Sequence, residues 1–168
     1  MKLKHPVVHG HPLHAMLSDL PAALIPAALF AAAVERARPD RRTRYAARTS
    51  TLLAFGSACL AGIIGWWDWL TIPADHPVRS PATTHGLINS GSLAVGAAAV
   101  LLPRRRLELL VVLNAALLVA AWIGGDLVYR LGWRVRPAEE LEQMDAGKRR
   151  EKARAIVDKH EREDVLLS

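Results

Sequence analysis

Residues 107–131 read LELLVVLNAALLVAAWIGGDLVYRL. Apart from Glu108 near the start and Asp126 and Arg130 near the end, this run is almost wholly apolar, and a helix needs about 20 such residues to cross the hydrocarbon core of a bilayer. Working outward, three earlier runs have the same character: 15–34, 49–72 and 82–102. Each break between them is supplied by proline, arginine or a charged stretch. Inside lipid the backbone amides must be satisfied within the segment, and the alternation that a closed barrel needs is absent, so each run is expected to be α-helical. The predicted fold is therefore all-α: a four-helix transmembrane bundle over residues 10–135, followed by a polar, helical C-terminal tail over 137–168.

The composition agrees with this division. The chain has 168 residues, 51% of them hydrophobic, and a net charge of +6. Its last 32 residues hold 9 acids and 7 bases, so the preceding 136 hold 15 bases against 7 acids. The arginines lie in short clusters between apolar runs, which excludes a nucleic-acid-binding reading of the basic charge. One cysteine, Cys59, rules out an internal disulfide framework and any C-x-x-C motif. The first apolar run is too long for a signal peptide and contains Asp19, so it is read as a span. In the tail, Ala153, Ile156, Val157 and His160 give a weak helical spacing among many charges, read as a solvated helix.

Connections of about 14, 9 and 4 residues make successive helices antiparallel and put both termini on one side. Arginines 36, 38, 41, 42, 44 and 48 fall in the first connection and 104–106 in the third. By the positive-inside rule, loops 35–48 and 103–106 face the cytoplasm, with the termini on the outer side. Trp66, Trp67 and Trp69 at the end of the second span, and Tyr129 and Trp133 at the end of the fourth, fit an interfacial aromatic belt.

Ionisable groups in spans are costly and functional by default. Here they gather at one end: His11 and His14 open helix 1, Asp68 closes helix 2, His85 and Asn89 open helix 3 and Asp126 closes helix 4. With a helix starting near Pro12, His11, His14 and Ser18 share a stripe; His85, Asn89, Ser92 and Gly96 share another. Ser57, Ala61 and Gly65 form a small-residue ladder that allows close helix approach. Asp19 is placed either at a local break near Pro21 or against a neighbouring helix. His5, His9 and His76 lie in flanks expected to be solvent-exposed.

Three chemistries use such a cluster. His14 and His85 would serve as axial ligands of haem b, with His11 and Asn89 beside them. Alternatively, His11, His14 and His85 with Asp68 or Asp126 would hold a zinc, copper or iron ion. The third is a proton relay or small transporter, against which stands an expected lack of polar residues in the cytoplasmic halves of the helices. No nucleophile–base pair indicates hydrolysis, so the chain is not read as an enzyme. A competing reading is a membrane assembly protein, and a homo-oligomer is compatible with either.

The strings His11-Pro12-Leu13-His14, Gly65-Trp66-Trp67-Asp68, Thr84-His85-Gly86-Leu87-Ile88-Asn89 and Gly124-Gly125-Asp126-Leu127-Val128-Tyr129 together resemble a bacterial membrane family, the domain of unknown function 2231. The resemblance spans about residues 10–135. The family has no established activity. Some relatives are joined to Rieske-type or cytochrome domains, which implies a redox setting. This chain has neither the Cys-His pairs of a Rieske cluster nor a C-x-x-C-H haem site, so any redox partner is a separate protein.

Overall fold

The computed structural model describes residues 6–9 and 11–133, with Lys148 and Glu151. The tail expectation, apart from those two residues, which are both helical, lies outside the described residues. So do Lys2, Lys4, His5, Arg134 and Arg136. The chain divides into two compact units, Met1–Leu127 and Val128–Ser168, and the packing described below belongs to the first.

A two-residue hairpin, β1 (Val7–Val8) and β2 (His11–Pro12), precedes α1 (Leu13–Ala37). Then come α2 (Arg41–Leu70), α3 (Arg79–Leu101), a 3-10 turn at Pro103–Arg105, and α4 (Arg106–Gly125), whose last turn loosens into a π-turn at Asp126–Arg130. The chain is thus mostly helical. Three helical stretches, Leu13–Ala37, Arg41–Leu70 and Pro103–Arg130, are long and apolar enough to cross a membrane. α3 is not among them, because its first half carries Thr83, Thr84, His85, Asn89, Ser90 and Ser92.

Two boundaries differ from the sequence expectation. Residues 35–48 are not a loop: α1 runs to Ala37, α2 begins at Arg41, and only residues 38–40 connect them. Pro39 disfavours helix at the residue before it, and Arg38 is extended. Asp40 then caps α2, its carboxylate accepting from the amides of Arg42 (2.7 Å) and Thr43 (2.9 Å), while the Thr43 hydroxyl accepts from the Asp40 amide. At the third connection, Arg106 belongs to α4 rather than to the turn. Pro21 and Pro26 do not break α1. Asp19 is exposed on a continuous helix.

α1 packs on α2 and α4, and α3 packs on the same two helices. The core is made largely of small side chains, Ala28, Ala32, Ala54 and Ala99, with Ile25, Leu110 and Leu113. Large apolar side chains point the other way: Phe30 is 72% exposed, Leu118 72% and Trp122 77%. In water each such side chain forgoes about 1.5–3 kcal/mol of burial. Small residues inside and large ones outside suit helices that meet lipid, where close backbone approach rather than hydrophobic burial holds neighbours together.

Polar groups do occur towards the arginine-bearing ends of the helices, contrary to expectation. Thr51 is buried on α2, Asn114 reaches the Leu110 carbonyl (2.8 Å) and the Ile25 carbonyl (3.4 Å), and Arg106 forms a 2.8 Å ion pair with Glu35.

Candidate functional site

The antiparallel order brings the start of α1, the end of α2, the start of α3 and the end of α4 to one end. There His14 and His85 meet, their ring centroids 6.2 Å apart and their planes at 78°. Each ring is seated by the same device on a neighbouring helix. His14 Nδ1 lies 3.1 Å from the Ala61 carbonyl of α2, and the ring fills the space left by Gly65, one turn further on. His85 Nδ1 lies 3.0 Å from the Ala120 carbonyl of α4, and its ring sits against Gly124, again one turn further on. A Cβ on Gly65 would stand 2.7 Å from His14 Cε1, and one on Gly124 would stand 3.1 Å from His85 Cε1. The helix-spaced Ala-x-x-x-Gly pair therefore supplies both an acceptor and a slot.

A carbonyl only accepts, so Nδ1 is the donor in both rings and Nε2 carries the lone pair. The two histidines differ in what meets that lone pair. Asn89 Nδ2, one helical turn along α3, donates to His85 Nε2 at 3.1 Å and also to the His85 carbonyl at 2.9 Å. His14 Nε2 turns to no comparable amide among the described residues. Backbone-fixed Nδ1 with Nε2 presented is the arrangement that orients ligating histidines in metal proteins.

The other expected site residues, His11, Asp68 and Asp126, stand on three different elements. His11 lies on β2, before the helix begins, and is exposed; its Nδ1 is 3.1 Å from the His9 carbonyl. The stripe expected for His11, His14 and Ser18 fails because α1 starts at Leu13. Asp68 is buried on α2, its carboxylate 3.4 Å from the Thr71 hydroxyl, and Asp126 is half-buried at the head of the π-turn. Among the described residues, no group of three or more His, Cys, Asp or Glu is assembled to hold a metal ion. His76 is half-buried rather than free in a flank, its Nδ1 accepting from the Val78 amide at 3.2 Å.

Two of the three tryptophans closing α2 bond across to α3. Trp66 Nε1 donates to Ser90 (3.1 Å) and its ring fills the space above Gly86; Trp69 Nε1 donates to Thr83 (2.9 Å). Arg79 stacks over Trp69 at 3.9 Å and donates to the Ile72 carbonyl, tying down the α2–α3 loop. Trp67 remains exposed. The Glu35–Arg106 pair was also not anticipated: the partners are 71 residues apart, and neither spacing nor composition links them.

Compared with known proteins, the chain matches no family model, no curated protein and no solved structure. What the fold and site define is a class: a mostly helical chain with membrane-length apolar helices and an interhelical histidine pair.

Proposed function

We propose that this chain is a multi-pass protein of a bacterial inner membrane that holds haem b between His14 and His85 for electron transfer or redox sensing. The observation that carries this is the pair itself: two imidazoles from different helices, each locked through Nδ1 to a backbone carbonyl, with centroids 6.2 Å apart. An imidazole nitrogen sits about 2 Å from a metal, with the ring centre roughly 1 Å behind it, so two opposed ligands put ring centres about 6 Å apart. Two donors meet the axial requirement of haem iron. They fall short of the three or four that zinc, and most copper or iron, sites take from the protein, so a bare ion is the weaker form of the same proposal. In either form His85 Nε2 would be the ligating atom, and it would have to give up the hydrogen bond from Asn89.

α3 belongs to this reading as a fourth span, completing the transmembrane bundle. Three of its polar side chains bond between helices, His85 on Ala120, Ser90 on Trp66 and Thr83 on Trp69, and Thr84, Asn89 and Ser92 bond within α3, which lowers their cost in lipid. The arginine-bearing ends then face the cytoplasm and the histidine end faces outward. Kinship with the domain of unknown function 2231 is part of the same proposal, and a separate redox protein would be the electron partner.

A second reading has its own support. His85 has both ring nitrogens satisfied within the protein, and the slots at Gly65 and Gly124 are filled by the rings themselves. That favours an assembly protein in which the histidines only join helices. The absorption spectrum of detergent-purified protein decides between them. A Soret band that shifts on dithionite reduction and disappears in His14→Ala and His85→Ala is the expected result. Stoichiometric metal without a Soret band selects the bare ion; a colourless, metal-free protein refutes both and leaves the assembly reading.

A further inference from the structure

At the opposite end of the helices the chain presents a second chemistry. α2 has 30 residues, about 45 Å at ~1.5 Å per residue, against a hydrocarbon core of about 30 Å. Roughly its first ten residues, 41–50, therefore stand at headgroup depth or beyond. On one face of that extension lie Arg41, Arg44, Tyr45 and Arg48, spaced i, i+3, i+4 and i+7 and all exposed, Tyr45 by 72%. The same exposed face continues into Leu52 and, further down, Ile63. Cations with an aromatic hydroxyl among them, followed by aliphatic side chains along the same exposed face, match the order of a phospholipid from headgroup to acyl chain.

The acids at this end are already engaged. Glu35 pairs with Arg106, Glu108 lies 3.7 Å from Arg36, and the Asp40 carboxylate caps α2. Arg44 donates one Nη1 hydrogen to the Pro39 carbonyl. Among the described residues only Asp40 acts on this charge, through Arg44, and Arg41 and Arg48 have no carboxylate paired with them. A soluble anionic partner would leave the adjoining Leu52 and Ile63 surface unexplained.

We infer that this face of α2 binds an anionic phospholipid, its phosphate held by Arg41, Arg44 and Arg48 and its acyl chains lying along the apolar face that begins at Leu52. The inference rests on the reading of the helices as membrane spans. A basic residue near an anionic membrane surface contributes about fivefold in affinity, so removing three costs on the order of a hundredfold.

The test is native mass spectrometry of the detergent-purified full chain titrated with phosphatidylglycerol or phosphatidylcholine. Phosphatidylglycerol should bind at least about tenfold more tightly. In the Arg41→Gln/Arg44→Gln/Arg48→Gln variant this preference should vanish, while circular dichroism and the melting temperature stay within those of the parent. Equal binding of the two lipids, or a preference that survives the triple variant, overturns the inference. So does competition by millimolar inorganic phosphate, which would mark a free-anion site. If the triple variant does not fold, single Arg48→Gln, expected to lose about fivefold, is read instead, and no loss there overturns the inference. Extraction of the expressed chain from membranes by alkaline carbonate would defeat the membrane reading separately, whatever the lipid result.

Discussion

Replacing Gly65 by alanine puts a methyl carbon 2.7 Å from His14 Cε1, 3.0 Å from Nδ1 and 3.3 Å from Nε2. Real Cβ atoms do not tolerate the first of these distances, so the ring must move. The ring is held by its Nδ1–H bond to the Ala61 carbonyl on the same helix, one turn back, so moving it away from position 65 strains or breaks that bond. Overpacking of this kind costs about 1–3 kcal/mol. Loss of an interhelical hydrogen bond in a membrane protein adds about 0.6 kcal/mol, and the better helix propensity of alanine returns up to about 1 kcal/mol. The expected net destabilisation is about 1–3 kcal/mol. Gly56→Ala on the same helix is the internal control, since nothing lies within 4 Å of its Cβ position and only the propensity gain should appear. Thermal unfolding in mild detergent, followed by near-ultraviolet circular dichroism, reads both. Gly65→Ala should melt clearly below the parent, Gly56→Ala at or above it, and His14→Ala should relieve most of the Gly65→Ala penalty in the double variant. If Gly65→Ala is as stable as Gly56→Ala, or the double variant shows no relief, the seating of His14 described above is wrong.

Other outcomes follow from the same contacts. Glu35→Ala leaves the Arg106 guanidinium, 6% exposed and already with an unsatisfied Nε, without its carboxylate, and should cost about 2–4 kcal/mol, recovered largely in Glu35→Ala/Arg106→Met; equal stability of parent and single variant would refute a buried pair. His85→Ala should destabilise more than His76→Ala, because the first loses contacts to α4 and to Asn89 while the second loses contacts, among them that to the Val78 amide, in the loop between α2 and α3; equal melting temperatures would contradict this. Chiefly the Thr43 amide, with that of Arg42, holds the Asp40 carboxyl below the usual carboxylate range. Its contribution to α2 is therefore complete above the unfolded value of about 4 and lost as pH falls through the lower native value, a loss that Asp40→Asn should remove from the acid titration of helix content.

Much of the architecture was legible in the chain itself. Runs of about 20 apolar residues are read locally, and lipid leaves a helix as the only open form for each, so helix number, order and antiparallel sense followed. The collection of His14, Asp68, His85, Asn89 and Asp126 at one end followed as well, since depth in an antiparallel set is arithmetic on sequence position. Rotation about each axis is another matter. Whether Asp19 is exposed or meets a neighbour, whether Trp66 bonds Ser90, and which polar groups meet all depend on side chains far apart in sequence.

What the sequence by itself determined, then, is that the chain makes four long helices, that most of their surface is apolar, and that His14, His85, Asp68 and Asp126 fall at one end and most of the helix-flanking arginines at the other. Only the tertiary structure decided that His11 stands off the helix, that Glu35 finds Arg106, and that Gly65 and Gly124 are where two imidazoles come to rest. The reason is range. Hydropathy and capping act over a turn or two, whereas a carbonyl acceptor, a missing Cβ and a ring that fills its place come from different helices and exist only once those helices are packed.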